Sequence, residues 1–488
     1  MSEQAVTMVA RSRDLPPVSN RPSSRPLTVT AMLGWGAGAV VAFHLAYELF
    51  PPAILLFLGC MFQLGRASTR PRAMYAGWLL GLCIYGPQLA FFFGIFGFGA
   101  VGLWLVLATW LSIYLVLQRF ALLKFGPHLG ALLAPFIWTG LEYARSELYY
   151  LRFSWLNVGY AMSPFPQSAL IPWLGMYGIG FVSMALAGLF PFAAGKSTRS
   201  KWIWALSLAA LVFAGQLMAH RDSSSKREVA ELKIAGVQLE FADTQTVLQK
   251  LDELIAEWPK ADLLVLSEYA FDGRVPSPVK DWCDKHDKYL VAGGKDYLDT
   301  LETQFRNTAF VIGPDGEEVF TQAKKVPIQF FKDGLPASTQ SVWNSPWGKI
   351  GFCVCYDLSY TRVIDELIRQ GAQAIVAPTM DVQNWGKRQH QLHARIAPVR
   401  AAEHGVPIFR LCSSGISQAV GSDGRVFASA GFPGQGEAMA ATLQLARGNK
   451  CLPVDRYLVW PCVGVCISLL IWHAITSLRA LSRLKPIA

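Results

Sequence analysis

Three residue types in the second half of this sequence could do chemistry: a thiol, a carboxylate and an amine. Cys355 ends the apolar string Gly351-Phe-Cys-Val-Cys-Tyr-Asp357. An amphipathic segment follows, with Val363, Ile364, Leu367 and Ile368 on one face and Gly371 as its C-terminal cap. A strand-to-helix turn of this kind exposes a sulfur at the edge of a sheet. It also aims backbone N–H groups at whatever that sulfur attacks. Glu268 closes the apolar run Asp262-Leu-Leu-Val-Leu-Ser267, and Lys324-Lys325 follows the strand-like Val319-Phe320. Taken singly, each has a plain structural reading: a buried small residue, a strand-end acid facing water, a solvated lysine pair.

The elements that must position these residues run from about 229 to 449. Strand signals fall at 232–238, 263–267, 289–293, 308–313, 349–355, 374–378, 407–412 and 418–421. A helix with Val247, Leu251, Leu254, Ile255 and Trp258 on one face lies between the first two. Asp315-Gly316 and Asp423-Gly424 read as hairpin turns. Alternating strands and helices predict covered sheets of α/β or α+β type. His390 and His393 lie about one turn apart on a predicted helix over 389–403 and read as helix surface or core, because no third ligand accompanies them. No Cys/His group has zinc spacing, so neither a metal nor a cofactor is expected.

The rest of the chain is too apolar for an ordinary soluble enzyme: 52% of the 488 residues are hydrophobic and 16% charged. Candidate membrane spans are 28–46, 50–65, 73–94, 99–118, 129–147, 168–195, 201–218 and 457–478. Arg66, Arg70, Arg72, Arg119, Lys124, Lys196, Arg199, Arg479 and Arg483 fall in alternate connectors or tails, and that basic side is expected in the cytoplasm. The organisation expected is a tail over 1–27, a seven-span membrane domain over 28–220, a globular domain over 229–449 on the far side, and a returning helix over 457–478. The net charge of +10 is scattered over these connectors, which argues against nucleic acid as a partner.

A glutamate at the end of an apolar strand, then a lysine, then G-x-x-x-C-Y-D resembles the carbon–nitrogen hydrolase (nitrilase) superfamily. Val237-Gln238, Ala377-Pro378, the stretch from Asp381 through Trp385-Gly386 to Gln389-His390, Arg400-Ala-Ala-Glu403, and Ser413-Ser414-Gly415 are similar to further segments of that superfamily. A sandwich placed between a seventh and an eighth span is similar to the layout of the bacterial apolipoprotein N-acyltransferases. So are the outer loop around Trp155 and Tyr160 and the string Trp173-Leu-Gly175-Met-Tyr-Gly178.

The resemblance implies an α-β-β-α sandwich on a polytopic helical bundle of about eight spans, with a Glu268, Lys325, Cys355 triad. Glu268 would be the general base, and Lys325 with the backbone N–H of Tyr356 would stabilise the oxyanion. A phospholipid would donate an acyl chain to Cys355, and the α-amine of a diacylglyceryl-cysteine lipoprotein would accept it. The site would face the periplasm from the inner membrane. The alternatives are a membrane-anchored amidase or an N-acyltransferase with another acceptor. The family places a supporting glutamate eight residues after its lysine. Asp333 holds that position relative to Lys325, and this register favours Lys325 over Lys324. Arg400 and Glu403, at helical i,i+3 spacing, are expected to pair and to stand behind the site. Trp385 is a candidate for the acyl pocket. Trp155 and Tyr160 are candidates for the membrane interface and the substrate.

Overall fold

The computed structural model describes residues 26–167, 170–193, 230–434, 436–446 and 452–482. Helices α1 (Val29–Glu48), α2 (Ile54–Leu64), α3 (Arg70–Gln88), α4 (Phe91–Phe96), α5 (Gly99–Tyr143), α6 (Val158–Ala161) and α7 (Ile171–Ala193) build the N-terminal bundle. The predicted span 73–94 is broken into α3 and α4. The spans predicted over 99–118 and 129–147 form one element, α5, bent back at Gly126, whose φ of 79° falls in the region glycine adopts freely. Gln118 Nε2 donates to the Gly130 carbonyl at 3.0 Å, whereas 12 residues of straight helix would rise about 18 Å. Four described helices are long and apolar enough to cross a membrane: Val29–Glu48, Gly99–Leu148, Ile171–Leu189 and Asp455–Arg479. Pro51–Leu64 is a shorter apolar helix, and the predicted span 201–218 lies outside the described residues.

Among the described residues, the basic connector 66–72, Arg119 and the last helix meet at one end of the bundle. Arg119 donates to the carbonyls of Ala67 and Ser68 at 2.9 and 2.8 Å, and Arg70 reaches Ser477 near the end of the last helix at 3.5 Å.

Residues 231–444 form two six-stranded sheets. The first contains β1 (Glu231–Val237), β2 (Leu263–Val265), β3 (Tyr289–Tyr297), β4 (Phe305–Ile312) and β5 (Glu318–Ala323) in that spatial order, with β12 (Ala438–Gln444) beside β1. The second runs β6 (Val342–Ser345), β7 (Gly348–Phe352), β8 (Ala374–Thr379), β9 (Ile408–Cys412), β10 (Ser417–Val420), β11 (Val426–Ala430). In each sheet three neighbouring strands are parallel and the flanking pairs antiparallel. Period-two alternation sorts the side chains. Leu263 and Val265 meet Phe352, Val376 and Phe409 between the sheets, while Leu264 and Leu266 face Val247, Leu251 and Leu254 of α8 (Thr244–Glu257) and Val279 of α9 (Ser277–His286).

The other outer layer is α10 (Thr361–Arg369), α11 (Lys387–Ala394) and α12 (Ile396–His404). The helix predicted over 389–403 is thus two helices. Their buried residues Val363, Leu367, Leu392 and Val399 belong to the same apolar cluster as Tyr47, Phe57 and Tyr114 of the bundle. The sandwich therefore has no free face there. The final helix α13 (Asp455–Ser482) closes the joint with charge. Arg456 reaches Asp365 at 2.7 Å and Glu403 at 2.9 Å, and the Tyr177 N–H donates to Asp455 at 3.0 Å.

Gly175 makes this joint possible. Its φ is 73°, and a Cβ there would lie 2.2 Å from the Asp455 carboxyl. Gly175→Ala is expected to cost at least about 1–2 kcal/mol from left-handed backbone strain alone. Thermal unfolding of the detergent-solubilised protein checks this, with a Tm several degrees below wild type.

Candidate active site

β7 ends at Phe352, and Cys355 opens a short 3₁₀ turn over Cys355–Ser359. Its φ of 49° is unusual for a residue with a Cβ and lifts the thiol out of the strand's pleat. Cys355 and Cys353 therefore do not share a strand face as their spacing suggests. The Cys355 thiol faces the Met380 carbonyl at 3.8 Å, beyond the end of the neighbouring β8.

Glu268, three residues past β2, comes to the same place from the other sheet. It is 3% exposed and fully engaged. Oε1 accepts from Lys324 Nζ at 2.8 Å and Asn307 Nδ2 at 2.5 Å, and Oε2 accepts from the Met380 N–H at 2.7 Å. The Met380 peptide thus touches the carboxylate with its N–H and the thiol with its carbonyl.

The amine in this cluster is Lys324, which corrects the expectation of Lys325. Lys324 is 1% exposed, and its Nζ lies 2.7 Å from Asp333 as well as 2.8 Å from Glu268. Lys325 turns outward, where its Nζ donates to the Ser338 carbonyl. Successive residues of an extended segment face opposite ways, so only one of the pair can point inward. The Asp357 carboxylate decides which. It accepts from the backbone N–H groups of Lys325 and Val326 at 3.0 and 2.7 Å, pinning the chain just after Lys324. Asp333 reaches Lys324 directly across an intervening loop in which Phe330 has a φ of 71°. Asp333 also accepts from Asn307 at 2.8 Å, Tyr269 at 2.9 Å and the Ile328 N–H at 2.7 Å.

Charge in this cluster is set by burial and neighbours. Burial pushes the Cys355 thiol well above its ordinary range, and Glu268 adds to that while Lys324 opposes it. Burial also raises Glu268; Lys324 counteracts and Asp333 reinforces the shift. Burial works against the Lys324 ammonium, but Asp333 and Glu268 outweigh it and hold Lys324 well above the usual lysine range. The thiol beside Glu268 is thus held neutral and the Lys324 ammonium held charged.

The remaining predicted residues divide. Arg400 and Glu403 pair at 2.5 Å, and Arg400 donates to the carbonyls of Leu358 and Ser359 at 3.2 and 2.6 Å, bracing the turn behind Cys355. The Tyr356 side chain donates to the Arg152 carbonyl at 2.9 Å. Trp385 lines two adjoining spaces. One is an open cleft that includes the charged groups Glu268, Lys324 and Asp333, and the other a cavity whose walls are almost wholly apolar. Trp155 lines the apolar cavity but is 6% exposed, stacked on His393 at 4.8 Å, and not at a lipid surface. Tyr160 is fully buried under the Arg400 guanidinium, 5.6 Å away, and lines neither space. Its expected place at the membrane interface is overturned by the packing of the bundle against α12.

Asn307 and Met380 are absent from the sequence expectations. An asparagine inside a strand and a backbone amide carry no pattern to find. His393 is a core residue: its Nδ1 lies 2.7 Å from the buried Asp381, which also takes Arg410 at 2.6 Å. Burial brings His393 down to about 4, with Asp381 opposing the shift.

Residues 36–189 match the apolipoprotein N-acyltransferase N-terminal domain, and residues 233–450 match the carbon-nitrogen hydrolase domain. Apolipoprotein N-acyltransferase of Shewanella oneidensis is 23% identical over 508 aligned positions, covering 91% of this chain and 94% of that protein. The Geobacter metallireducens protein of the same name is 23% identical, over 77% of this chain and 82% of its own length. Among solved structures, a carbon-nitrogen hydrolase from Helicobacter pylori is 18% identical and covers 44% of this chain and 89% of its own, with a TM-score of 0.39.

Removing one member of a buried ion cluster strands the others. Lys324→Met is expected to destabilise by about 3–5 kcal/mol, while Lys325→Met stays within about 0.5 kcal/mol of wild type. Denaturation of the two variants side by side tests the assignment; equal effects would reject it.

Proposed function

Because the chain belongs to the apolipoprotein N-acyltransferase family of carbon–nitrogen hydrolases, we propose that it moves a fatty acyl chain from a phospholipid to the N-terminal amine of a diacylglyceryl-cysteine lipoprotein. The observation that carries the lipid half of this reading is the shared wall of the two spaces. Ile328, Phe331 and Trp385 line both the cleft holding Glu268 and Lys324 and the apolar cavity beside it. A hydrocarbon chain in the cavity would bring its ester to the thiol, and a soluble amide needs no such space.

Glu268 takes the Cys355 proton, and the sulfur attacks the ester carbonyl. Lys324 and the Tyr356 N–H stabilise the oxyanion, each such donor being worth roughly 3 kcal/mol. Collapse breaks the ester C–O bond, and the leaving lysophospholipid takes the proton from Glu268. The acyl chain is now a thioester on Cys355. The neutral α-amine attacks it, Glu268 accepts the ammonium proton of the adduct, and the departing thiol recovers it as the amide forms. One covalent intermediate between two substrates implies ping-pong kinetics. Asp333 and Asn307 fix the base and the lysine, and Asp357, Arg400 and Glu403 fix the backbone on either side.

The orientation follows from the same family reading and from charge. The basic end of the bundle faces the cytoplasm, and the sandwich stands in the periplasm on a bacterial inner membrane crossed eight times.

Intact mass tests the reaction. After incubation with a diacyl phospholipid, wild type should gain one acyl mass and Cys355→Ala none, and a diacylglyceryl lipopeptide should discharge the adduct as N-acylated peptide. Discharge to free fatty acid alone would point instead to a hydrolase, and absence of an adduct would reject the thioester.

The pH dependence has a definite sign. Glu268 must be ionised to act, so acylation should rise with pH through a value above the usual carboxylate range and then level off. The thiol gives no further rise near its free value of about 8.5. Single-turnover acylation from pH 4 to 9 reads this, and a rate still climbing through the thiol range would reject Glu268 as base.

A further inference from the structure

Among the described residues, Arg152 is a cation without a counter-ion on the wall of the apolar cavity. Among the described residues lining that space it carries the only formal charge; its neighbours there include Phe91, Phe92, Leu107 and Ile328. Its Nε is buried with no hydrogen-bond partner, and among the described residues the guanidinium makes no ion pair. The backbone on which it stands is held firmly. Tyr356 donates to the Arg152 carbonyl at 2.9 Å, and Gln329 Nε2 donates to the Tyr150 carbonyl at 3.3 Å. Tyr356 adjoins Cys355 and lines the same cavity as Arg152, so the cavity that holds this cation reaches the residue next to the thiol.

An unpaired charge beside apolar surface is costly, and a guanidinium is the cation best shaped for two-point contact with a phosphate. A ligand that satisfies both cavity and cation must carry a long hydrocarbon chain and an anion a short distance from the chain's carbonyl end. A glycerophospholipid does so: its ester-linked chain and its phosphodiester are joined through one glycerol. We propose that Arg152 forms an anion subsite for the phosphodiester of the acyl donor, so that the donor is selected by its phosphate as well as by its chain. This rests on the phospholipid-donor reading above. General attraction of Arg152 to bilayer headgroups is the competing account, and it would act alike on every donor in the same membrane or micelle.

The test compares wild type, Arg152→Gln and Arg152→Lys as full-length protein in neutral detergent. Acyl loading of Cys355 is followed by intact mass with three donors: phosphatidylglycerol, phosphatidylethanolamine and p-nitrophenyl palmitate, which has an acyl ester and no phosphate. Arg152→Gln is expected to lower loading efficiency from both phospholipids by at least about tenfold, or ~1.4 kcal/mol, mainly through KM. Arg152→Lys should recover part of the loss, since it keeps the charge and loses the planar fork. The loss should be confined to the phosphate-bearing donors. An equal loss with the nitrophenyl ester would mean Arg152 is structural and would overturn the subsite, as would unchanged loading from the phospholipids. If wild type loads from the nitrophenyl ester and from neither phospholipid, the donor reading itself fails and the subsite with it.

Discussion

One buried ammonium sets the terms for the site. Lys324 sits between Glu268 and Asp333 at 2.8 and 2.7 Å, with almost no access to water. Two carboxylates forced this close would repel, and one would take up a proton were the lysine absent. With it, Glu268 can remain a base in surroundings that otherwise favour its neutral form. The two carboxylates in turn keep the lysine charged. Burial holds the proton on the Cys355 thiol, with Glu268 adding to that effect and Lys324 opposing it. The cluster thus sets a carboxyl group and an ammonium beside a protonated thiol rather than a standing thiolate.

The surrounding structure serves this cluster from three sides. The first sheet supplies Glu268 and Asn307, the chain after β5 supplies Lys324 and Asp333, and the second sheet supplies Cys355 and the Met380 peptide. Neither sheet alone holds a working set. Their mutual packing, through Leu263, Val265, Phe352 and Val376, sets the distance between base and sulfur. Behind the sulfur, Arg400 ties the turn at Leu358 and Ser359 to Glu403, and Arg456 ties Glu403 to the last membrane helix. The turn that carries Cys355 is thereby tied to the final helix.

Much of this layout is legible in the amino-acid order, for local reasons. Glu268 and Cys355 each end an apolar run, so their position at a strand end follows from burial of the residues before them. The lysine does not follow, because a Lys-Lys pair at the end of a strand has no pattern to say which points inward. Counting eight residues from Lys325 to Asp333 treats a loop as a ruler, and Asp333 in fact meets the lysine nine residues before it, across a loop with a positive φ at Phe330. Tyr160 shows a different limit. An aromatic in a polar connector reads as a membrane-interface residue, and only the long-range approach of Arg400 makes it a core residue. The doubling back at Gly126 is a third case, since an apolar run extends on both sides of one glycine.

The apolar cluster shared by the bundle and the outer helices of the second sheet bears on how the molecule is assembled. That face of the sandwich is finished by side chains from the bundle and by Arg456 at the head of α13. A nascent chain that has delivered only the sandwich still lacks this closing ion pair. Completion of that face is therefore coupled to the docking of the final helix, which follows the sandwich in the chain.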